Sequence, residues 1–144
     1  IFGILTSIFF VGENISLNPY QYTWMNSFAK FYDINKNFEI DYWGISNKSL
    51  SNQINKDYKS RGFKIEDCIY GGQYTDVFLY RHGFQCFKSY SELDSAKSKP
   101  YYVIKNVRNV KRSNPKDCKL IKNETFNYFF YKRSVNAGSL WFCD

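Results

Sequence analysis

Pro100-Tyr101-Tyr102-Val103-Ile104 is the stretch from which the fold can be read. Four apolar β-formers in a row follow a proline, and this predicts a buried strand. Upstream, residues 91–96 read as a helical turn and 84–87 as a short strand. Residues 73–82 predict a helix with Tyr74, Val77, Phe78 and Arg81 on one face and Gly83 closing it. Residues 63–70 read as a strand that stops at Gly71-Gly72. Before it, Leu50, Ile54 and Tyr58 recur at i, i+4 and i+8, the stripe of an amphipathic helix with Ser46 as N-cap and Gly62 as terminator. Downstream, residues 119–121 and 128–131 read as the arms of a hairpin turning at Asn123-Glu124, and Trp141-Phe142-Cys143 as an apolar end docked on the sheet. This succession predicts an α/β fold: a small layered sandwich with a mixed, partly parallel sheet, two main helices and a C-terminal hairpin.

The bulk numbers agree with one domain. The chain has 144 residues, 44% hydrophobic and 21% aromatic, which excludes a disordered tail. A mean hydropathy of −0.50 and the lack of an apolar run near 20 residues exclude a polytopic membrane protein within this stretch. The net charge of +7 is uneven: residues 1–100 carry 11 Lys+Arg against 10 Asp+Glu, and residues 101–144 carry 9 against 3. Lys105, Arg108, Lys111, Arg112, Lys116, Lys119 and Lys122 form a basic cluster, read first as a solvated loop between strands. Such a cluster can hold nucleic-acid phosphates or an anionic membrane surface; nucleic acid is disfavoured, because no RNP-like, zinc-finger or helix-turn-helix pattern accompanies it.

The first eleven residues, Ile1-Phe-Gly-Ile-Leu-Thr-Ser-Ile-Phe-Phe-Val11, carry no charge. As a helix they reach only ~16 Å, about half a bilayer core. With a start at Ile1 rather than Met, residues 1–16 read as the end of a truncated transmembrane helix and its connector, and residues 17–144 as a single extracytoplasmic α/β domain. Residues 15–22 are expected to be extended, since Pro19 lacks an N–H and biases Asn18 away from helix.

Chemistry-bearing patterns are sparse. Cys68, Cys86, Cys118 and Cys143 contain no C-x-x-C, so neither zinc nor a thioredoxin-like site is expected. Cys68 and Cys86 read as buried thiols; disulfides require an extracytoplasmic setting, and three pairings stay open. His82, the only histidine, follows a helix end, where a cation suits the dipole. Gly71-Gly72 lies between strand and helix but lacks both G-x-G-x-x-G and the Walker lysine.

Two segments are richer: residues 18–26, with Tyr20, Tyr22 and Asn26, and residues 39–44, with Glu39, Asp41, Tyr42 and Trp43. Aromatic faces stack on the CH faces of sugars, while amides and carboxylates pair with hydroxyls, so these seven residues are the candidate substrate contacts. Glu39 and Asp41 share one face if extended, a spacing that permits acid–base work without selecting it. The competing reading is that both segments pack the domain edge and cap backbone groups.

Leu17-Asn-Pro-Tyr-Gln-Tyr-Thr-Trp-Met-Asn26 resembles the L-H-P-Y-Q-Y-V-Y-F-N signature of bacterial polytopic glycosyltransferases related to protein O-mannosyltransferases. Phe38-Glu-Ile-Asp-Tyr-Trp-Gly-Ile-Ser46 is similar to their F-E-L-D-Y-W-G-x-S block. Tyr101-Tyr-Val-Ile104 and Tyr128-Phe-Phe-Tyr-Lys-Arg133 look like their less specific later strands. Asn18 stands in the place of the family's histidine, and Trp24 and Met25 in the places of Tyr and Phe. The resemblance implies the C-terminal extracytoplasmic (periplasmic-side) domain of an enzyme that moves a sugar from a polyprenyl-phosphate carrier. It implies no catalytic residue and no cofactor in this fragment, since the family's catalytic acid lies in an earlier loop. The module would help shape the acceptor side, beside the transmembrane portion of its parent chain and a glycan or lipid-linked sugar. The alternative is a stand-alone exported domain that binds glycans or polyanions.

Overall fold

The computed structural model describes residues 2–21, 41, 44–61, 68–72, 74–95, 99–106, 113–129 and 134–144. Among the described residues, three α-helices, α1 (Phe2–Ser16), α2 (Ile45–Arg61) and α3 (Thr75–Tyr80), accompany five strands: β1 (Ile69–Gly71), β2 (Phe87–Ser89), β3 (Tyr101–Asn106), β4 (Cys118–Phe126) and β5 (Val135–Cys143). A 3₁₀ turn spans Tyr90–Ser95. The sheet order is β2-β1-β3-β5-β4, with β1 parallel to β2 and β3, and β5 antiparallel to β3 and β4. This is the expected mixed α/β sandwich, and β3 stands at its centre.

One face of the sheet carries α2 and α3. Leu50 and Ile54 of the expected stripe are buried against Tyr102, Ile104, Leu140 and Phe142. Tyr58, the third member, meets Phe84 edge-on at 5.6 Å. Helix α2 approaches β5 closely, since a Cβ at Gly138 would sit 2.9 Å from Ser46 Oγ and 3.2 Å from Leu50 Cδ1. On the opposite face, Tyr70, Tyr90, Tyr101 and Val103 cluster beneath the 3₁₀ turn, which packs on β2, β1 and β3. A third cluster, Leu17, Tyr20, Phe126, Tyr128, Val135 and Ala137, joins the end of α1 to the β4–β5 end of the sheet.

Several expectations are corrected. Residues 118–126 form one strand straight through Asn123-Glu124, and it pairs with β5; of the expected second arm, residues 130 and 131 lie outside the described residues. The turn-type residues serve another purpose: Glu124 Oε2 accepts from Ser49 Oγ at 2.9 Å and pairs with Lys122 Nζ at 3.0 Å, tying β4 to α2. Register shifts between Leu120/Lys122 and Glu124/Thr125 absorb the irregularity. Trp141-Phe142-Cys143 does not dock on the sheet but belongs to its second central strand. Ser46 lies inside α2, whose first turn is capped by Asp41. On α3 the inward positions are Thr75 and Leu79, whereas Tyr74 and Val77 are exposed. Residues 15–19 are not extended: α1 runs to Ser16 and continues in hydrogen-bonded turns, Leu17 N–H to Glu13 O at 3.0 Å and Asn18 N–H to Ile15 O at 3.2 Å.

The four cysteines are not thiols. Cys68 bonds to Cys86, and Cys118 to Cys143. Cys68 precedes β1 and Cys86 precedes β2, strands that run side by side, while Cys118 and Cys143 are register partners on β4 and β5. The expected strand over residues 63–70 is seen only from Ile69, and residues 62–67, Gly62 included, lie outside the described residues.

Candidate functional site

Of the seven expected substrate contacts, Tyr22, Asn26, Glu39, Tyr42 and Trp43 lie outside the described residues. Tyr20 is buried and stacks on Phe126 with ring centroids 4.8 Å apart. Burial, followed by the charges of Glu124 and Asp41, pushes its hydroxyl far above the ordinary tyrosine range. Asp41 is buried too. Its Oδ1 accepts the Ile45 N–H at 2.8 Å, its Oδ2 accepts the Ser46 N–H at 3.1 Å, and the Ser46 hydroxyl makes a further short contact with Oδ2. Gly44 supplies the left-handed φ of 67° that turns the chain back over this carboxylate. A carboxylate at a helix N-terminus satisfies orphan N–H groups and suits the macrodipole. Both oxygens of Asp41 are thus engaged in starting α2.

The Gly71-Gly72 step is shaped by packing. A Cβ at Gly71 would lie 2.6 Å from the Thr75 side chain, and one at Gly72 would lie 2.3 Å from Asn106 Nδ2. Thr75 is held by its hydroxyl donating to Gly72 O at 2.7 Å. His82 Nε2 lies 2.9 Å from Asn52 Oδ1, a link between the turn after α3 and α2. Of the basic cluster, Lys105 lies on β3, Lys116 in the turn before β4, and Lys119 and Lys122 on β4. Arg108, Lys111 and Arg112 are outside the described residues.

A different region offers an open cavity. Beside the 3₁₀ turn, β3, β5 and β4 present, among the described residues, one face with a cavity of about 290 Å³. Lys105, Ser139, Trp141, Leu120, Asn123 and Asn136 line it, with Asn114 from the loop before β4. Lys105 pairs in register with Ser139, and Leu120 with Trp141, so the strand alternation brings these side chains to one face. Lys105 Nζ donates to Asn114 Oδ1 at 2.8 Å, and burial lowers its ammonium below the ordinary lysine range. Trp141 Nε1–H donates to Ser139 Oγ at 3.0 Å and Gly138 N–H to Asn136 Oδ1 at 3.0 Å. A second cavity of about 600 Å³, bounded by Tyr90, Asp94, Tyr101 and Lys116, shares Asn114 with the first.

Sequence reasoning missed this site because its residues come from four separate places: positions 105, 114, 120–123 and 136–141. The signal was present in period-2 form, since Ser139 and Trp141 alternate with Leu140 and Phe142. Without knowing that β5 is central, the open face could not be told from the covered one.

Fold and cavity together define a mixed α/β domain with an amide-rich hollow on its open sheet face. No family model, no curated protein and no solved structure matches the chain.

Proposed function

We propose that this chain is a membrane-tethered recognition module on the extracytoplasmic side of the membrane, serving a glycosyltransferase that uses a polyprenyl-phosphate-linked sugar. It acts by binding, and the bond chemistry belongs to the parent chain.

The observation that carries the membrane part is α1. Phe2 is 82%, Ile4 66% and Ile15 72% exposed, and Leu5, Ile8, Phe10 and Val11 are exposed as well. At about 100° per residue these seven positions spread over most of the helix surface, while Glu13 is buried; exposed apolar surface of this extent belongs in a core or in lipid. Its small polar side chains bond to the preceding turn: Thr6 Oγ1 to Gly3 O at 2.9 Å, Ser7 Oγ to Gly3 O at 2.9 Å and Asn14 Nδ2 to Phe10 O at 2.9 Å. Such back-bonding lowers the cost of placing them in hydrocarbon. No described helix is long and apolar enough to cross a membrane; α1, with 15 residues, is about 22 Å long. Its inner end is fixed to the domain: Ser16 Oγ donates to Asn127 O at 2.8 Å, and Phe9 and Phe129 meet edge-on at 6.4 Å.

The two disulfides support an oxidising, extracytoplasmic setting. The glycosyltransferase assignment is supported by the two sequence blocks at 17–26 and 38–46. Flotation with neutral phosphatidylcholine vesicles tests the tether: the chain is expected to rise with the vesicles, and an Ile4→Asp/Ile8→Asp variant to stay below. A wild-type chain left in the aqueous fraction overturns the tether. The reading frame upstream of the Ile1 codon tests the parent: several apolar segments of about 20 residues are expected. A nearby start codon or cleavable leader removes the glycosyltransferase and leaves the second reading, an exported glycan- or polyanion-binding domain, which the open cavity favours.

A further inference from the structure

We propose that Phe129 makes a second lipid contact: the domain itself, and not α1 alone, enters the membrane surface, with the Phe129 ring as its inserting side chain. This deepens the membrane half of the function proposed above and rests on it; it does not depend on the glycosyltransferase assignment.

Burial along α1 marks the face on which the domain docks. Phe9, Gly12 and Ser16 are half-buried and Glu13 is buried, the i, i+3, i+4, i+7 spacing of one helix face. Leu5 and Phe2, further along that same face toward the start of the helix, are exposed. Among the described residues the docking face therefore ends near Phe9. Phe129 stands at that end. Its ring meets Phe9 edge-on with centroids 6.4 Å apart, and a Cβ at Gly12 would lie 2.8 Å from Phe129 Cε1. The bare glycine is thus the seat of the ring. Packed there, Phe129 still keeps 36% of its surface exposed.

Heights along the helix decide what that exposed part of the ring meets. Ile8, Val11 and Ile15 lie on another side of α1 and are exposed. Each is a neighbour in sequence of Phe9, Gly12 or Ser16, so their heights differ by only about 1.5 Å. A bilayer that takes up Ile8, Val11 and Ile15 therefore reaches the level of Phe129 as well. Glu13, the one charged residue of α1, is fully buried, so lipid at its height meets no exposed carboxylate. A partly exposed phenyl ring at that depth gains by leaving water, in proportion to the apolar area transferred. A helix and a ring on the domain together fix how the domain is turned. The end of the sheet that carries Phe126, Tyr128 and Val135, packed on Leu17 and Tyr20, is held nearest the bilayer.

The test places the unmodified, ¹⁵N-labelled chain in phosphatidylcholine bicelles and compares two relaxation agents. One is a phosphatidylcholine with a doxyl group near the top of its acyl chain, the other a water-soluble gadolinium chelate. The Phe129 amide is expected to lose intensity with the doxyl lipid to the extent that Val11 does, and to be shielded from gadolinium. A Val11 signal lost to the doxyl lipid beside a Phe129 signal lost only to gadolinium overturns the proposal and leaves the tether standing. Val11 and Phe129 both untouched by the doxyl lipid overturn the tether, and this proposal with it. Partitioning onto phosphatidylcholine vesicles gives a second reading. Phe129→Ala is expected to bind about three-fold more weakly, and Phe129→Trp as tightly as the wild type, with spectral dispersion reporting an intact fold. Equal partitioning of Phe129→Ala and the wild type overturns the proposal too. The relaxation measurement needs no substitution, so it decides even where a variant fails to fold.

Discussion

Asp41 Oδ2 accepts the backbone N–H of Ser46 at 3.1 Å, so a carboxylate outside α2 fixes the helix's first turn. Ser46 in turn lies within 2.9 Å of where a Gly138 Cβ would stand. One short chain of contacts thus links the segment before α2, the helix itself and the central strand β5.

Replacing Asp41 by Ala removes the acceptor for two N–H groups and leaves the buried Ser46 hydroxyl without its carboxylate. The expected loss is about 1–3 kcal/mol, read as a lower urea midpoint with an unchanged slope. A urea midpoint equal to that of the wild type would show that Asp41 does not hold the start of α2.

Gly138→Ala tests the close approach of α2 to the sheet. The new methyl meets Ser46 Oγ at 2.9 Å, Leu50 Cδ1 at 3.2 Å and Lys105 O at 3.4 Å. Ser46 is held by Asp41 and cannot yield freely, so overpacking of about 1–3 kcal/mol is expected. A melting temperature equal to that of the wild type would show that α2 moves away from β5 at no cost.

The fold was legible where pattern and burial coincide. Tyr101-Tyr-Val-Ile104 is buried on both faces, and Leu50 and Ile54 point inward as their spacing requires. It was not legible where one residue type served a second purpose. Asn123-Glu124 has turn chemistry, yet Glu124 is spent on Ser49 and Lys122 and the strand passes through. Ser46 has cap chemistry, but its hydroxyl contributes from inside the helix while Asp41, picked out as a sugar contact, performs the capping. The cysteine pairing follows from strand adjacency, which spacing alone does not contain. The cavity is an assembly of three strands and a loop, visible only once their register is known.

The disulfides are expected to differ in what they hold. Cys118–Cys143 fastens the edge strand β4, which carries Leu120 and Asn123 of the cavity, to β5. Cys68–Cys86 ties the approaches to β1 and β2. With separations of 25 and 18 residues, each contributes about 3 kcal/mol through the unfolded chain. Cys118→Ala/Cys143→Ala and Cys68→Ala/Cys86→Ala are each expected to lower the urea midpoint, the first pair also raising hydrogen exchange along β4 and the second along β1 and β2. Peptide mapping without reductant that recovers four free thiols would remove both bonds.

Alkaline unfolding provides the last test. The Tyr102 hydroxyl donates to Asp57 Oδ2 at 2.6 Å, and Arg61 Nε donates to the same oxygen at 2.7 Å. Burial first, then the bond to Asp57, raises Tyr102 far above the ordinary tyrosine range; burial does the same for Tyr20. Below pH about 10 both hydroxyls are protonated in the folded and unfolded chain alike, and their contribution is fully present. As pH rises past about 10 the unfolded chain loses these protons while the folded chain keeps them, so stability falls with pH. Lys105, lowered by burial, works in the opposite direction just below its ordinary value, so the fall steepens once the two tyrosines dominate. Urea midpoints measured from neutral pH to above pH 10 are expected to drop, and Tyr102→Phe, with Asp57 still held by Arg61, is expected to make the drop shallower. A Tyr102→Phe profile parallel to that of the wild type would mean that the buried hydroxyl ionises as readily in the folded chain as in the unfolded one.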